Sequence, residues 1–541
     1  MAIPTVLVIA GSDSSGGAGL EADQKVLTAH GCHAMTATTA LTAHNTLGVD
    51  DVHVTPPTFV GKQIHACLTD IPCDAVKIGM LASAETIRVV ADSLEKHQVS
   101  TIVLDPVMVA TSGAQLLPGD AVRNLRERLL PMTTLLTPNI PEATLLLRDA
   151  DVQYKSPSSL DDLKTLAKMV HQLGPRAVLL KGGHMPLTRE YIKATNEDDR
   201  AVTVDVLYDG HNYTLIESQF LQSKNTHGTG CSLASAIAGN LAQMKRKQQH
   251  KQRKSQQQQQ QDLSSDLDLL PTAVRLAVYY VTTGIKTSHP NLGHGSGPIN
   301  HFHNIQIQPF SRGHFIEYLL NHPRVAPSWQ KYTHHDFATQ LARGTLPETL
   351  FKNYLVQDYL YLTHFARTNA LAGYKSRNMA DISASAHIIL HIEREMALHL
   401  GYCAEFGISK QDLEHPNRKE SLACVAYSRY VLDVGNTEDW LALQVALAPC
   451  LIGYGETAKR LVGDKERKTT EQGNRYWRWV ENYVAEDYQE AVRVGKDLIE
   501  THIVKQSPQR IEELVNIFAR ATEMEVRFWD FDAHLDPEEE D

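Results

Sequence analysis

The stretch Asn225-Thr226-His227-Gly228-Thr229-Gly230-Cys231 runs directly into Ser232-Leu233-Ala234-Ser235-Ala236-Ile237-Ala238. A glycine-rich turn followed by an apolar, Ala-rich segment predicts a loop that opens a helix. Successive backbone N–H groups at such a start form a concave site for a phosphate anion, and glycines let the backbone come close to it. Gly228, Thr229 and Gly230 are therefore candidate phosphate-binding residues. Cys231 falls in the first turn, where the positive end of the helix dipole is expected to lower a thiol pKa. The motif thus pairs an anion cradle with a potential general base. Taken alone, it is equally compatible with a turn that holds a structural cysteine.

Working outward, Val6-Leu7-Val8-Ile9-Ala10 is a short apolar run, expected to be a buried parallel strand. It ends in a second Gly/Ser-rich loop, Gly11 to Gly19. Thr101-Ile102-Val103-Leu104 ends in Asp105, Leu135-Leu136 runs into Thr137-Pro138-Asn139-Ile140-Pro141-Glu142, and Ala177-Val178-Leu179-Leu180 ends in Lys181-Gly182-Gly183-His184. Strands that stop at polar or glycine-rich ends, with helical stretches between them, predict a doubly wound α/β sheet with its ligand at the carboxyl ends. In that arrangement Asp105 and Glu142 are candidate metal-facing carboxylates, Lys181 a phosphate partner and Cys231 the base. Each could instead belong to a local helix cap.

The segments GSDSSGGAGLEAD (Gly11 to Asp23), KIGM (Lys77 to Met80), LDPVMVATSG (Leu104 to Gly113), TPNIPE (Thr137 to Glu142), LLKGGH (Leu179 to His184), NTHGTGC and GPINHFH (Gly297 to His303) occur in this order. Together they resemble the hydroxymethylpyrimidine/phosphomethylpyrimidine kinases of the ribokinase-like superfamily, over about residues 1 to 305. The resemblance implies ATP and Mg²⁺ as cofactors and two successive phosphorylations of 4-amino-5-hydroxymethyl-2-methylpyrimidine. It implies Gly11, Ala18, Asp23, His44 and Val107 as substrate-binding residues, and Asn139, Lys181, Gly228, Thr229 and Gly230 on the nucleotide and its phosphates. Two positions depart from the family pattern. His44 stands where the family usually has Gln, and imidazole cannot reproduce the paired hydrogen bonds of an amide; this opens a pyridoxine-type substrate as the alternative. Gly293-His294-Gly295-Ser296-Gly297 stands where bacterial relatives tend to carry a Lys near the nucleotide.

At 541 residues the chain is long enough for two or three domains. It is 42% apolar and 21% charged, which predicts a soluble globular protein. A formal net charge of -11 argues against a nucleic-acid partner. No long uncharged apolar run predicts a membrane span, and Met1 leads into the first strand without room for a signal peptide. Seven scattered cysteines with no CxxC pair fit a reducing, cytoplasmic setting and argue against a disulfide framework or a structural zinc site. Residues 245–261, KRKQQHKQRKSQQQQQQ, are expected to be a disordered insertion in the first domain. A nuclear-localisation role for this basic run stays open. The domain junction is expected between residues 310 and 311, giving domains 1–310 and 311–541.

Strand signals disappear after about residue 314. Long Leu/Ala/Glu-rich patterns predict helices over Thr333 to Arg343, Pro347 to Tyr374, Ile382 to Phe406, Lys419 to Asp433, Thr437 to Val462, Arg475 to Gly495 and Pro508 to Phe531, hence an all-α bundle. Asp358 and Tyr361 share a helix face. Cys450 and Tyr454 follow Pro449 on another helix. Tyr483 and Glu525 sit among aromatic residues. Each could be a satisfied core polar, but a Cys, two carboxylates and several tyrosines also suit attack on an aromatic ring.

LVQDYLYLTHFAR (Leu355 to Arg367), EREMALH (Glu393 to His399), AYSRY (Ala426 to Tyr430), LAPCLIGYGE (Leu447 to Glu456), WRWVENY (Trp477 to Tyr483) and EMEVRFW (Glu523 to Trp529) resemble the thiaminase II (TenA) aminopyrimidine aminohydrolases. The resemblance implies Cys450 as nucleophile, Asp358 as the aminopyrimidine-binding carboxylate and Glu525 as proton donor and acceptor. It also implies Tyr361, Tyr427, Tyr454 and Tyr483 as pocket tyrosines. The two halves would share a pyrimidine: the second releases it from thiamine or aminomethylpyrimidine, and the first phosphorylates it. A non-catalytic helical oligomerisation module is the alternative for the second half, and a homo-oligomer, dimer or tetramer, is expected in either case.

Overall fold

The computed structural model describes residues 3–108, 117–254, 265–413 and 419–530. The chain divides into two compact units, Met1–Ile305 and Gln306–Asp541.

The first unit is built on one sheet. Its strands are β1 (Thr5–Ala10), β2 (His33–Thr38), β5 (Ala75–Ile78), β6 (Ile102–Leu104), β7 (Leu135–Leu136), β8 (Val178–Leu180), β9 (Val202–Tyr208) and β10 (Tyr213–Gln219), while β3 (Ala40–Asn45) and β4 (Gly48–Val54) form a separate antiparallel hairpin. The sheet order is β10-β9-β8-β7-β6-β5-β1-β2, parallel from β2 to β8 and antiparallel at β9 and β10. Every residue of β1 is buried because helices cover both faces. Val6, Val8 and Ala10 pack with the helices Gly19–Ala29, Thr229–Lys254 and Asp266–Lys286, whereas Leu7 and Ile9 face the opposite helical layer. From β1 the chain goes first to the edge strand β2 and then back to β5 on the other side. The strand order therefore reverses beside β1, and ligands of doubly wound sheets bind at such a point.

The expected disordered insertion is in part a helix. Thr229–Lys254 is one continuous helix of 26 residues. It is anchored by Lys245 Nζ on Asp266 (3.3 Å) and Arg246 Nε on Asp74 (2.9 Å). Two of the basic residues that suggest a solvated tract by composition, Lys245 and Arg246, are tied to acids on neighbouring elements; the segment 255–261 lies outside the described residues. The boundary also shifts. Gln308 donates to the carbonyls of Val504 (3.1 Å) and Gln506 (3.2 Å), and Phe310 packs on Phe315, so residues 306–310 belong to the helical unit.

That unit is all helical. Its long helices are Glu348–Lys375, Met379–Glu405, Leu422–Thr437, Trp440–Val462, Glu486–Ile503 and Pro508–Trp529. The single helix expected over Arg475 to Gly495 is two, Trp477–Val484 and Glu486–Ile503, broken at Ala485, whose ψ of 147° is extended. Trp440–Val462 is long and apolar enough to cross a membrane by length and composition, contrary to the expectation from the sequence. It is the core helix of the bundle, 83% buried among its neighbours. It carries Pro449 in its interior, immediately before Cys450.

Beneath the sheet's carboxyl edge, Lys77 of β5 and Asp23 form an ion pair at 2.6 Å with neither side chain exposed. Ser235 donates to the other Asp23 oxygen at 2.8 Å. Removing one partner of such a pair leaves an uncompensated buried charge. Lys77→Met should destabilise the first unit by about 3–5 kcal/mol, read from its urea transition. The double change Lys77→Met/Asp23→Leu should recover most of that loss.

Candidate active sites

The loop after β1 and the loop before the helix Thr229–Lys254 are pressed together. Gly228 has φ of +76°, and a Cβ there would overlap the carbonyl of Gly17. Gly17 is equally constrained, since its own Cβ would overlap the His227 ring. This contact explains why both glycine motifs are needed: each backbone lies where the other's side chains would be. Asp13, which the sequence reading did not single out, holds the first loop. Its carboxylate accepts from Ser15 N (2.9 Å), Ser15 Oγ (2.7 Å), Gly17 N (3.2 Å), Ala18 N (2.8 Å) and His227 Nε2 (2.8 Å). Burial alone would raise Asp13, but the hydrogen bonds from His227 and Ser15 hold it well below the usual carboxylate range. Gly11 and Ala18 lie in this loop. His44, at a bulge of the β3–β4 hairpin, stands with Nδ1 3.4 Å from Asp13 and its ring edge-on to His227. Burial lowers its pKa against the pull of Asp13, so the ring is neutral at physiological pH. The Gly293–Gly297 segment closes over the same hairpin, where a Cβ on Gly293 or Gly295 would strike Thr46.

At the ends of β6 and β8, Lys181 Nζ lies 2.7 Å from Asp105 Oδ1 and 3.9 Å from Glu142 Oε2. A methyl on Gly230 would sit 3.3 Å from Asp105 Oδ2 and 3.4 Å from Lys181 Nζ, so the glycine keeps this space open. The predicted metal and phosphate residues are thus brought together at the first turn of the helix. Burial pulls Lys181 down, but Asp105 and Glu142 outweigh it and leave the ammonium above its ordinary value. Burial raises Glu142 to about 7, opposed by Lys181. Two buried carboxylates beside an open cradle are hard oxygen donors that fit Mg²⁺. Val107 follows, its N–H donating to the Asp105 carbonyl at 2.8 Å.

The structure adds to three of the expectations. Asp23 does not face substrate: it is fully buried and spent on Lys77 and Ser235. Asn139 caps the helix Ile140–Asp149 in a reciprocal box with Glu142, both bonds at 2.8 Å. Asn139 Oδ1 and one Glu142 oxygen are therefore engaged before any ligand arrives. Cys231 is not activated by the helix dipole. Burial pushes its thiol up to about 11, and the charges of Asp23 and Asp105 add to this against Lys77. Asp205, in the VTVDVLY strand, was missed: it accepts from Gly182 N at 2.8 Å, and burial raises it to about 6. An acid in the middle of an apolar strand was the signal.

In the helical unit, Asp358, Tyr361, Cys450, Tyr454 and Tyr483 line one cleft. Glu525 lies 1% exposed at its floor, where Tyr427 OH donates to Oε1 at 2.7 Å and the Cys450 thiol meets the carboxyl group. Tyr361 stacks on Tyr427 at 4.8 Å. Among the described residues one buried oxygen in the cleft, Asp358 Oδ2, has no hydrogen bond. His399 Nδ1 stops 3.7 Å from that Asp358 oxygen, beyond hydrogen-bond length. Orphaned polar atoms facing a cleft mark groups reserved for a ligand. Burial raises Asp358 to about 7 and, with the charge of Asp358 adding and the Tyr427 hydrogen bond opposing, Glu525 to about 8. Burial followed by Glu525, Asp358 and Glu395 drives the Cys450 thiol well above its ordinary value. Glu395 and Tyr488, also in the cleft wall, were not singled out in the sequence, although Glu395 lies within the EREMALH segment.

Comparison with known proteins identifies the family of each unit. Residues 13–254 match the phosphomethylpyrimidine kinase family and residues 322–535 the TENA/THI-4/PQQC family. A Schizosaccharomyces pombe protein, provisionally named hydroxymethylpyrimidine/phosphomethylpyrimidine kinase 2, is 45% identical over 98% of this chain and 91% of its own. A hydroxymethylpyrimidine/phosphomethylpyrimidine kinase of Saccharomyces cerevisiae is 33% identical over 97% of this chain and 95% of its own. Among solved structures, a phosphomethylpyrimidine kinase of Clostridium difficile is 34% identical, covering 52% of this chain and all of its own, with a TM-score of 0.40. The chain belongs to the hydroxymethylpyrimidine/phosphomethylpyrimidine kinase family, in the form that carries a TENA/THI-4 domain after the kinase.

The raised thiol and carboxyl groups make two expectations. A base with a pKa near 11 is protonated at neutral pH, so kinase kcat/KM should rise with pH between 7 and 9. Cys231→Ala should lose about 10²- to 10⁴-fold in turnover and flatten that rise; a pH profile of both proteins checks it. Glu525 holds a proton below about 8 and cannot then accept the thiol proton. Hydrolytic kcat/KM should therefore fall roughly tenfold per pH unit below that value, and Glu525→Gln should remove this limb along with most of the rate.

Proposed function

We propose that the first unit transfers the γ-phosphoryl of ATP to 4-amino-5-hydroxymethyl-2-methylpyrimidine and then to its monophosphate. We further propose that the second unit hydrolyses thiamine or aminomethylpyrimidine to supply the alcohol. What carries this reading is that one chain holds both the Asp105–Lys181–Glu142–Gly230 cluster and a cleft in which a cysteine meets a glutamate beside an unpartnered aspartate oxygen.

In the kinase unit, the glycine-rich helix start receives phosphate oxygens and Lys181 neutralises them. Asp105 and Glu142 would hold Mg²⁺, which supplies charge neutralisation for the transferring group. Cys231 takes the proton of the attacking hydroxyl, and Asp13 fixes the loop that presents Gly11 and Ala18 to the ring. His44, tied to Asp13, offers the pyrimidine a single hydrogen bond. That observation also supports a second reading, a pyridoxine-type substrate, and kcat/KM on the two alcohols side by side decides between them. Seven free thiols support a reducing, cytoplasmic setting.

In the bundle, Asp358 bonds the aminopyrimidine and increases its electrophilicity. Glu525 takes the Cys450 proton as sulfur adds to the ring carbon beside the substituted one. The same proton goes to the departing amine or thiazole. Water then adds at the exocyclic methylene, passing its proton to Glu525, and the thiol leaves with that proton. The tyrosines hold the ring plane.

Aminomethylpyrimidine, ATP and Mg²⁺ incubated with the protein should give the pyrimidine diphosphate. Without Mg²⁺ the reaction should stop at hydroxymethylpyrimidine. Cys450→Ser should abolish the hydrolysis while the kinase still runs on supplied hydroxymethylpyrimidine. Wild-type hydrolysis in this variant would exclude the covalent step, and loss of both activities would exclude independent sites.

A further inference from the structure

One carboxylate in the hydrolytic cleft has no part in the chemistry above. Glu395, on the helix Met379–Glu405, lines the cleft with Asp358, Cys450, Tyr454 and Tyr483. Its hydrogen bond is from Tyr483 OH, at 3.2 Å. Among the described residues no Lys or Arg pairs with it or with Asp358. The two histidines of its own helix in this region, His391 and His399, are both held below their ordinary pKa by burial. Among the described residues the cleft therefore contains three acids, Asp358, Glu395 and Glu525, and no fixed cation.

Beside Glu395 the wall is aromatic. Tyr454 and Tyr483 lie 5.0 Å apart between ring centres, and Tyr483 and Tyr488 lie edge-on at 4.9 Å. Tyrosine faces grouped around a half-buried carboxylate are what recognises a small organic ammonium, because ring quadrupole and carboxylate both attract the charge. A neutral hydroxyl can donate one hydrogen bond to the carboxylate but brings no charge for the rings or the acid to attract.

The geometry points to Glu395, with the rings of Tyr454, Tyr483 and Tyr488, as a cation subsite that receives the ammonium borne on the exocyclic methylene of the substrate. It determines specificity by favouring the aminomethyl pyrimidine over its neutral hydroxymethyl product. Once the amine has left, the acid has no counter-charge and the alcohol is held less tightly, which promotes product release. Burial, with the charge of Asp358, raises Glu395 to about 7, so a bound cation would draw out the remaining proton. This inference rests on the aminopyrimidine reading of the cleft for the identity of the ring, not for the charge preference itself.

Glu395→Gln keeps the shape and an acceptor for Tyr483. Calorimetric titration with aminomethylpyrimidine and with hydroxymethylpyrimidine should show the wild type preferring the ammonium form. The variant should lose roughly 10- to 100-fold of affinity for that form and less than about threefold for the alcohol. In turnover, KM for aminomethylpyrimidine should rise while kcat changes little, and Glu395→Asp should recover part of the loss. Equal weakening toward both ligands would make Glu395 a structural residue and overturn the proposal, as would an unchanged KM. If wild type binds the ammonium form preferentially yet does not hydrolyse it, the proposed reaction falls and the cation subsite stands.

Discussion

The constraint on which both halves depend is the cost of holding carboxylates out of water. An isolated buried carboxylate must find a cation, a set of donors or a proton. The two units solve this differently. In the sheet-based unit each buried acid has a cationic or donor partner: Asp23 has Lys77, Asp105 has Lys181, and Asp13 has two backbone amides in addition to Ser15 and His227. In the bundle no lysine or arginine reaches the cleft among the described residues. Asp358, Glu395 and Glu525 instead move up to about 7, 7 and 8, so that protons take the place of cations. A site compensated by lysines suits the charge balance of phosphoryl transfer. A site balanced by protons suits acid–base work near neutral pH.

The same constraint gives the glycine loops their geometry. Phosphate oxygens need backbone N–H groups at close range, which requires that no side chain intervene. Gly228 against Gly17 satisfies this between the two loops, and Gly230 satisfies it between the helix start and the Asp105–Lys181 pair. The loops are held by Asp13 and not by their own sequence alone. A change at Asp13 would therefore release five donors at once and move Ala18, Gly17 and His227 together.

The strand ends were legible because their polar residues interrupt apolar runs of strand length. β1, β6, β7 and β8 all stop where the sequence changes character, and Asp105, Lys181 and Gly230 meet as that pattern implies. The bundle was legible from helical periodicity, and Cys450, Asp358 and Glu525 do converge in one region. What the pattern does not carry is which way a polar group is spent. Asn139 and Glu142 read as ligand residues and also cap each other, which engages Asn139 Oδ1 and one Glu142 oxygen. Asp23 reads as part of a binding loop but turns inward to Lys77. Lys245 and Arg246 read as a solvated basic tract but reach Asp266 and Asp74 in the folded chain. Glu395 sits among charged residues on its helix, so only the packing shows that it faces the cleft.

The two cysteines make the same point about chemistry. Position in sequence suggested an activated thiolate at Cys231, since helix starts favour the anion. Dipole stabilisation is worth about 0.3–1 kcal/mol at an exposed terminus and at most ~2 kcal/mol when partly buried. Burial beside Asp23 and Asp105 opposes it with a larger effect and leaves the thiol near 11. Cys450, flanked by Glu525, Asp358 and Glu395, is likewise raised well above its ordinary value by burial and these charges. Both thiols thus rest in the unreactive form. Each becomes a base or nucleophile only when a ligand changes the local charge or supplies an acceptor for its proton. In the bundle that acceptor is already in contact, as Glu525. In the kinase unit, among the described residues, no carboxyl group is hydrogen-bonded to Cys231, so its reactivity depends more heavily on the charges that the bound substrates bring.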